Sequence, residues 1–164
     1  MTEQVGMQPD PAKLTRTEKA LGRLVRGGAR VPGLRRLLLA PVITRPGYWF
    51  ATACAWLWGR ILLGRFSKGQ GIHYFSKLPK WAYGRGGTTI GAIYLTTDNV
   101  GDAVLEHEAV HKAQWKHYGL IFILLYVAAG SPALTNRFEV EAGLEKGGYI
   151  RPRRPRPSSG GAGV

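Results

Sequence analysis

The sequence predicts a small α+β domain, mostly helical, with one or two strands, one helix that carries the chemistry and a helical hairpin packed behind it. Three observations predict this. Residues 88–97 (TTIGAIYLTT) are rich in β-branched and aromatic residues and stop at Asp98-Asn99, the pattern of a strand. A helical stretch follows at once and contains His107-Glu108-Ala109-Val110-His111. Two further helical stretches then flank Gly130-Ser131-Pro132, an arrangement that turns the chain back on itself. At 164 residues and 45% apolar content the chain suffices for one domain with a core, plus tails.

From the N-terminus, residues 13–26 place Leu14, Leu21, Leu24 and Val25 near one helical face with Lys and Arg around the rest. This is a basic amphipathic helix suited to a membrane surface or to the domain itself, and Gly27-Gly28 is expected to end it. Residues 34–39 repeat the theme, with Pro41 and Pro46 as breaks. Residues 46–59 are apolar and hold three of the five tryptophans. They fall short of the ~20 residues that span a bilayer, so an interfacial helix or a core helix is expected; counted on through Gly64, residues 47–64 reach the length of a span if Arg60 snorkels. Residues 67–87 read as loop, and His73 within them as solvent-facing.

Asp102, or Asn99 before it, is placed to cap the motif helix over 102–117, and Gly119 to end it. Residues 120–129 are apolar on all sides. Gly130 and Pro132 leave about eleven usable residues, ~16 Å of helix, too short for a span. A span would also carry the carboxylates at 139–141 some ~30 Å from the histidines. This segment is therefore read as core. A last helix begins near Asn136 and ends at Gly147-Gly148. The Arg/Pro/Gly tail, 151–164, is expected to be disordered. The resulting division is 1–45 as a basic segment, 46–150 as the domain and 151–164 as the tail.

The net charge of +13 belongs to the flanks. Residues 13–45 carry nine Lys and Arg against one Glu, while 46–150 are close to neutral. Such flanks suit an anionic membrane surface, here through residues 13–64. The absence of a recognised reading module argues against nucleic acid. One cysteine, Cys54, excludes an internal disulfide framework and a thiolate metal cluster, so any metal must be held by His and carboxylate. The first twelve residues lack an apolar signal region, which suggests a cytoplasmic protein, peripheral at the inner face of the membrane.

Histidines at i and i+4 stack on one helical face and can share a zinc ion, with Glu108 one position round, beside the metal's water, as general base. A catalytic zinc needs a third protein ligand and an open position. His117 has the spacing of a metzincin third histidine. That pattern, however, needs glycine where Gln114 stands and a downstream methionine, and residue 117 points about 120° away from residue 111 on a continuing helix. The alternative is a carboxylate of the next helix, Glu139 or Glu141.

Here the sequence resembles the gluzincin metallopeptidases. Asn136-Arg137-Phe138-Glu139-Val140-Glu141-Ala142 is similar to their N-x-x-E-x-x-A pattern, and residues 107–114 to the H-E-x-x-H-x-x-Q form of small bacterial gluzincin-like domains. The resemblance covers about residues 88–147 and implies a minimal zincin-like domain with Glu139 as third ligand, Glu141 being the alternative. Many gluzincins carry, four residues after that Glu, an Asp that orients a zinc-bound histidine. This chain has Gly143 there, so the support must come from elsewhere. The resemblance also implies that the strand before the motif helix lies along the active site. Its edge, at Thr89, Gly91 and Ile93, could then pair with a peptide or protein substrate. Tyr126, His117 and Arg137 are the candidate oxyanion donors. The expected function is a zinc-dependent hydrolase, a peptidase. The competing class is a non-catalytic membrane-surface protein whose metal is structural or vestigial.

Overall fold

The computed structural model describes residues 14–84 and 86–150, so the expectation of a disordered 151–164 tail lies outside the described residues. The architecture is α+β, with seven helices and one four-stranded sheet among those residues. Helices α1 (Arg16–Ala29), α2 (Leu34–Leu38) and α3 (Pro41–Ile61) precede strands β1 (Arg65–Gly69) and β2 (Ile72–Ser76). The short α4 (Lys80–Tyr83) leads to β3 (Gly87–Ile90) and β4 (Ile93–Thr96), and then α5 (Asp102–Tyr118), α6 (Ile121–Ala128) and α7 (Arg137–Ala142) complete the fold.

The sheet order is β1-β2-β4-β3, antiparallel except for the parallel pair β2 and β4. The expected single strand over 88–97 is thus a hairpin. Gly91 turns it with φ of 61°, a first turn position that suits glycine in a two-residue hairpin loop. The stretch read as loop after residue 67 also holds a hairpin. Its loop is Gln70-Gly71, both in the left-handed region, which matches the twist of the flanking strands. His73 is accordingly a strand residue, half-buried and stacked on Phe66.

Thr15 and Glu18 form a reciprocal capping box that starts α1, and α1 runs through Gly27-Gly28 to Ala29 because the helix needs no break there. Of the two settings open to it, α1 takes the domain: it packs on α6, and Glu18 accepts from the backbone N–H and hydroxyl of Ser131. The two prolines do not break α3. Pro41 occupies its first position, where no N–H is needed, and Pro46 sits inside at the cost of one helical hydrogen bond. No helix among the described residues is long and apolar enough to cross a membrane, so 47–64 does not form the span considered for it.

α3 lies on the sheet through a stripe of small residues. A Cβ at Gly59 would overlap the fully buried Phe75 ring, and the Thr52 hydroxyl accepts from the Ala92 N–H at 2.9 Å. α5 crosses the same layer, and Gly119 (φ 57°) ends it against Thr44 of α3. α6 is less of a core helix than its composition suggests. Phe122 is its one buried residue, while Ile123 and Leu124 are exposed. Only the side that meets α1, α5 and α7 is covered.

Candidate metal centre

α5 begins at Gly101, an N-cap without a side-chain hydrogen bond, so neither Asp102 nor Asn99 caps it. Asp102 instead contributes negative charge to the first turn. His107, Glu108, His111, Gln114 and Trp115 are its buried residues besides Leu105, so the inward face of this helix is mostly polar. Such a face is tolerated only if every group on it is paired.

α7 supplies the partners. Asn136, fully buried, caps α7 by accepting from the Phe138 N–H, and its amide donates to the carbonyls of Gly130 and Tyr126. That anchoring puts Glu139 one turn into α7, facing α5. His107 Nε2 and His111 Nε2 are 3.1 Å apart. The Glu139 carboxylate lies 3.2 Å from the first and 3.4 Å from the second. All three residues are buried.

The other ring nitrogen of each histidine is committed. His107 Nδ1 donates to the Gly143 carbonyl at 3.0 Å, and His111 Nδ1 donates to Gln114 Oε1 at 2.8 Å. The orientation of Gln114 is fixed because its Nε2 donates to the Phe138 carbonyl and to Glu141. Both Nε2 atoms therefore present lone pairs to one point, and two lone pairs at 3.1 Å repel unless a cation lies between them. Glu139 Oε2 is buried without a hydrogen-bond partner among the described residues. One ligand atom from each of the three residues falls within 4.8 Å of the others. His107, His111 and Glu139 could hold a metal ion. Glu141, the alternative third ligand, is exposed and takes the Gln114 amide instead.

The Gly143 carbonyl orients His107 by backbone, at a position where the sequence offers no side chain to do so. Its φ of 95° and ψ of 103° suit glycine, and its carbonyl also accepts from the Gly147 N–H. Gln114 and Gly143 thus orient one imidazole each, the support expected of residues behind metal ligands.

Glu108 is buried and accepts from the Thr89 hydroxyl at 2.7 Å. Burial raises its carboxyl pKa, an effect that the Thr89 hydrogen bond partly offsets. Burial would raise Glu139 too, but the two imidazoles set against it and the hydrogen bond from Tyr126 outweigh it and hold that carboxyl well below the usual range. His111 is shifted up: burial opposes its charge, and the neighbouring Glu139 more than compensates. Tyr126 donates its hydroxyl to Glu139, and both Tyr126 and Tyr149 are pushed up by burial and then by the Glu139 charge, so both remain proton donors.

These groups border a cleft of about 310 Å³. Edge strand β3 forms one wall and α6, through Phe122, Ile123 and Tyr126, the other; Glu108, His111 and Glu139 line it as well. Of the residues expected on the strand edge, only Thr89 belongs to β3. Gly91 is the hairpin turn against Thr52, and Ile93 is on β4, an inner strand paired on both sides. The Thr89 hydroxyl and carbonyl are also engaged, by Glu108 and by the Trp115 indole N–H. Of the three oxyanion candidates, Tyr126 lies at the site. His117 is exposed beside Tyr118, and Arg137 lies over the Phe138 ring, away from the cleft. Tyr149, absent from the sequence reading, lines the cleft; the Gly147-Gly148 turn before it was its only signal.

Compared with known proteins, the chain matches no family model, no curated protein and no solved structure.

Proposed function

We propose that the chain is a zinc-dependent hydrolase that acts on peptide bonds, built on a minimal zincin-like frame of the gluzincin type. The observation that carries this is the meeting of His107, His111 and Glu139 at one point beside the protonatable carboxylate of Glu108, in a cleft open to solvent. Zinc with bonds of ~2.0–2.1 Å to N and O in a tetrahedral site sets its ligand atoms about 3.3 Å apart. The two Nε2 atoms, 3.1 Å apart, fit that spacing, and each faces its own oxygen of Glu139, His107 at 3.2 Å from Oε2 and His111 at 3.4 Å from Oε1. Two histidines and one carboxylate are also a set that iron(II) accepts, and metal analysis separates the two.

A bound zinc would supply Lewis acidity toward a carbonyl and acidify a water. Glu108 would take a proton from the attacking water and pass it to the departing amine. Its raised pKa brings it nearer to neutrality, where proton transfer in both directions is efficient. Thr89 fixes which carboxylate oxygen faces the cleft. The Tyr149 hydroxyl remains a donor that can bind the negative oxygen formed on the substrate carbonyl, whereas that of Tyr126 is given to Glu139. An extended peptide beside β3 would run past these groups, with Ile123 and Phe122 offering an apolar wall to one side chain.

The test is a digest of a peptide library by wild type and Glu108→Gln, with metal content measured on both. The proposal expects cleavage by wild type only and equal zinc in both. Zinc in both without cleavage by either would favour the non-catalytic alternative with a structural metal.

A further inference from the structure

We propose that the outward face of α3 is a docking surface for an anionic lipid bilayer, on which the protein lies without crossing it. α3 buries one stripe, with Thr44, Gly47, Ala51, Ala55 and Gly59 set against the rest of the domain. At 100° per residue, Trp49, Phe50 and Leu57 project from the opposite side, with Arg60 among them. These three are 63%, 62% and 55% exposed. Trp56 and Trp58 of the same helix, and Trp81 of α4, are exposed too, so Trp115 is the one buried tryptophan of five. A water-soluble surface rarely displays so much aromatic area on one helix. Tryptophan is the side chain that the headgroup zone of a bilayer favours.

The charge says which surface this face meets. From Lys19 to Thr97 the chain has thirteen Lys and Arg and no Asp or Glu. Arg45 and Arg60 stand ~22 Å apart along α3, at either end of its aromatic face. The Arg60 guanidinium lies over the Trp56 ring at 5.7 Å, so cation and aromatic face the same way. A second copy laid on this face would set its own Arg45 and Arg60 against these. An anionic lipid surface instead gains from every one. The buried stripe holds α3 to the domain, and no described helix is long and apolar enough to cross, so the helix lies in the interface plane.

The experiment is co-sedimentation of the full chain with vesicles of equal parts phosphatidylcholine and phosphatidylglycerol, and with phosphatidylcholine alone. The expected result is binding to the anionic vesicles, weakened by salt, with a blue shift of tryptophan emission. Trp49→Ser with Leu57→Ser should reduce that binding about tenfold or more, and Arg45→Gln with Arg60→Gln should erase most of the preference for anionic lipid. The substituted side chains are exposed, so the fold and metal content should match wild type. Absence of vesicle binding would overturn the proposal. So would binding unchanged in the Trp49/Leu57 variant, which would assign attachment to the basic ends of the chain. Conversion of a wild-type dimer to monomers by that variant, with no vesicle binding by either, would assign the face to a second copy. None of these readouts depends on metal or turnover, so their failure leaves the hydrolase proposal standing.

Discussion

The two long helices of this protein are inverted with respect to each other. α5 turns its polar residues inward: His107, Glu108, His111 and Gln114 are all buried on it. α3 turns large apolar residues outward, with Trp49, Phe50 and Leu57 in solvent and small residues against the sheet. An ordinary amphipathic helix does neither. The comparison shows two ways of departing from that rule, each with its own compensation. α5 tolerates a polar interior because Thr89, Gly143, Gln114 and Tyr126 pair with its motif groups or with the Glu139 that faces them. α3 tolerates an apolar exterior only if something covers it, and the stretch of chain it belongs to, Lys19 to Thr97, carries Lys and Arg but no Asp or Glu.

Breaking the α5 side should give the largest effect. Glu108→Gln removes the proton acceptor and keeps the shape, so turnover should fall roughly 10²–10⁴-fold with metal content unchanged, as checked by parallel kinetics and metal analysis. Gly143→Ala is the next. The new side chain disfavours φ of 95°, which shifts the carbonyl that holds His107, and metal affinity should fall about 10–100-fold in competition with a chelator.

On the α3 side, Gly59→Ala should destabilise the fold by about 1–3 kcal/mol, because the added methyl meets a fully buried Phe75 ring that has no room to move. Denaturant unfolding measures it, and metal affinity in the folded state should be unaffected. The smallest effect is a pH dependence far from both helices. Hydrogen bonds from Ser131 and Thr15 lower the Glu18 pKa from 4.5 to about 2. Because the folded value lies below the unfolded one, this contact stabilises fully above 4.5 and is lost as pH falls toward about 2. Thermal unfolding of Glu18→Gln should therefore fall less steeply across that range than wild type.

Much of the α5 side was legible in the sequence. The i, i+4 histidines, the strand before them, the stop at Gly119 and the return to α7 at Asn136 are local signals, each resting on one or two residue types at fixed spacing. What the sequence concealed was tertiary. Nothing local says that the backbone carbonyl of Gly143 would hold His107, or that Glu141 would be drawn off by Gln114. Tyr126 and Tyr149 lie 15 and 38 residues from His111 and carry no local mark of their place at the site. The hairpin over 65–76 was hidden for another reason. Its glycines read as loop, although Gln70-Gly71 is itself the left-handed turn that a hairpin requires. On the α3 side the prolines misled, since Pro41 stands at the first position, where no N–H is needed, and α3 carries Pro46 inside it despite the lost hydrogen bond.

The proposed hydrolase requires a metal held by α5 and α7 together. The direct measurement is metal per chain in wild type, in His107→Ala/His111→Ala and in Glu139→Ala, all purified without chelator. One zinc per chain in wild type, none in the double variant and weakened binding in Glu139→Ala is the expected result. Wild-type zinc content in the His107→Ala/His111→Ala variant would contradict it.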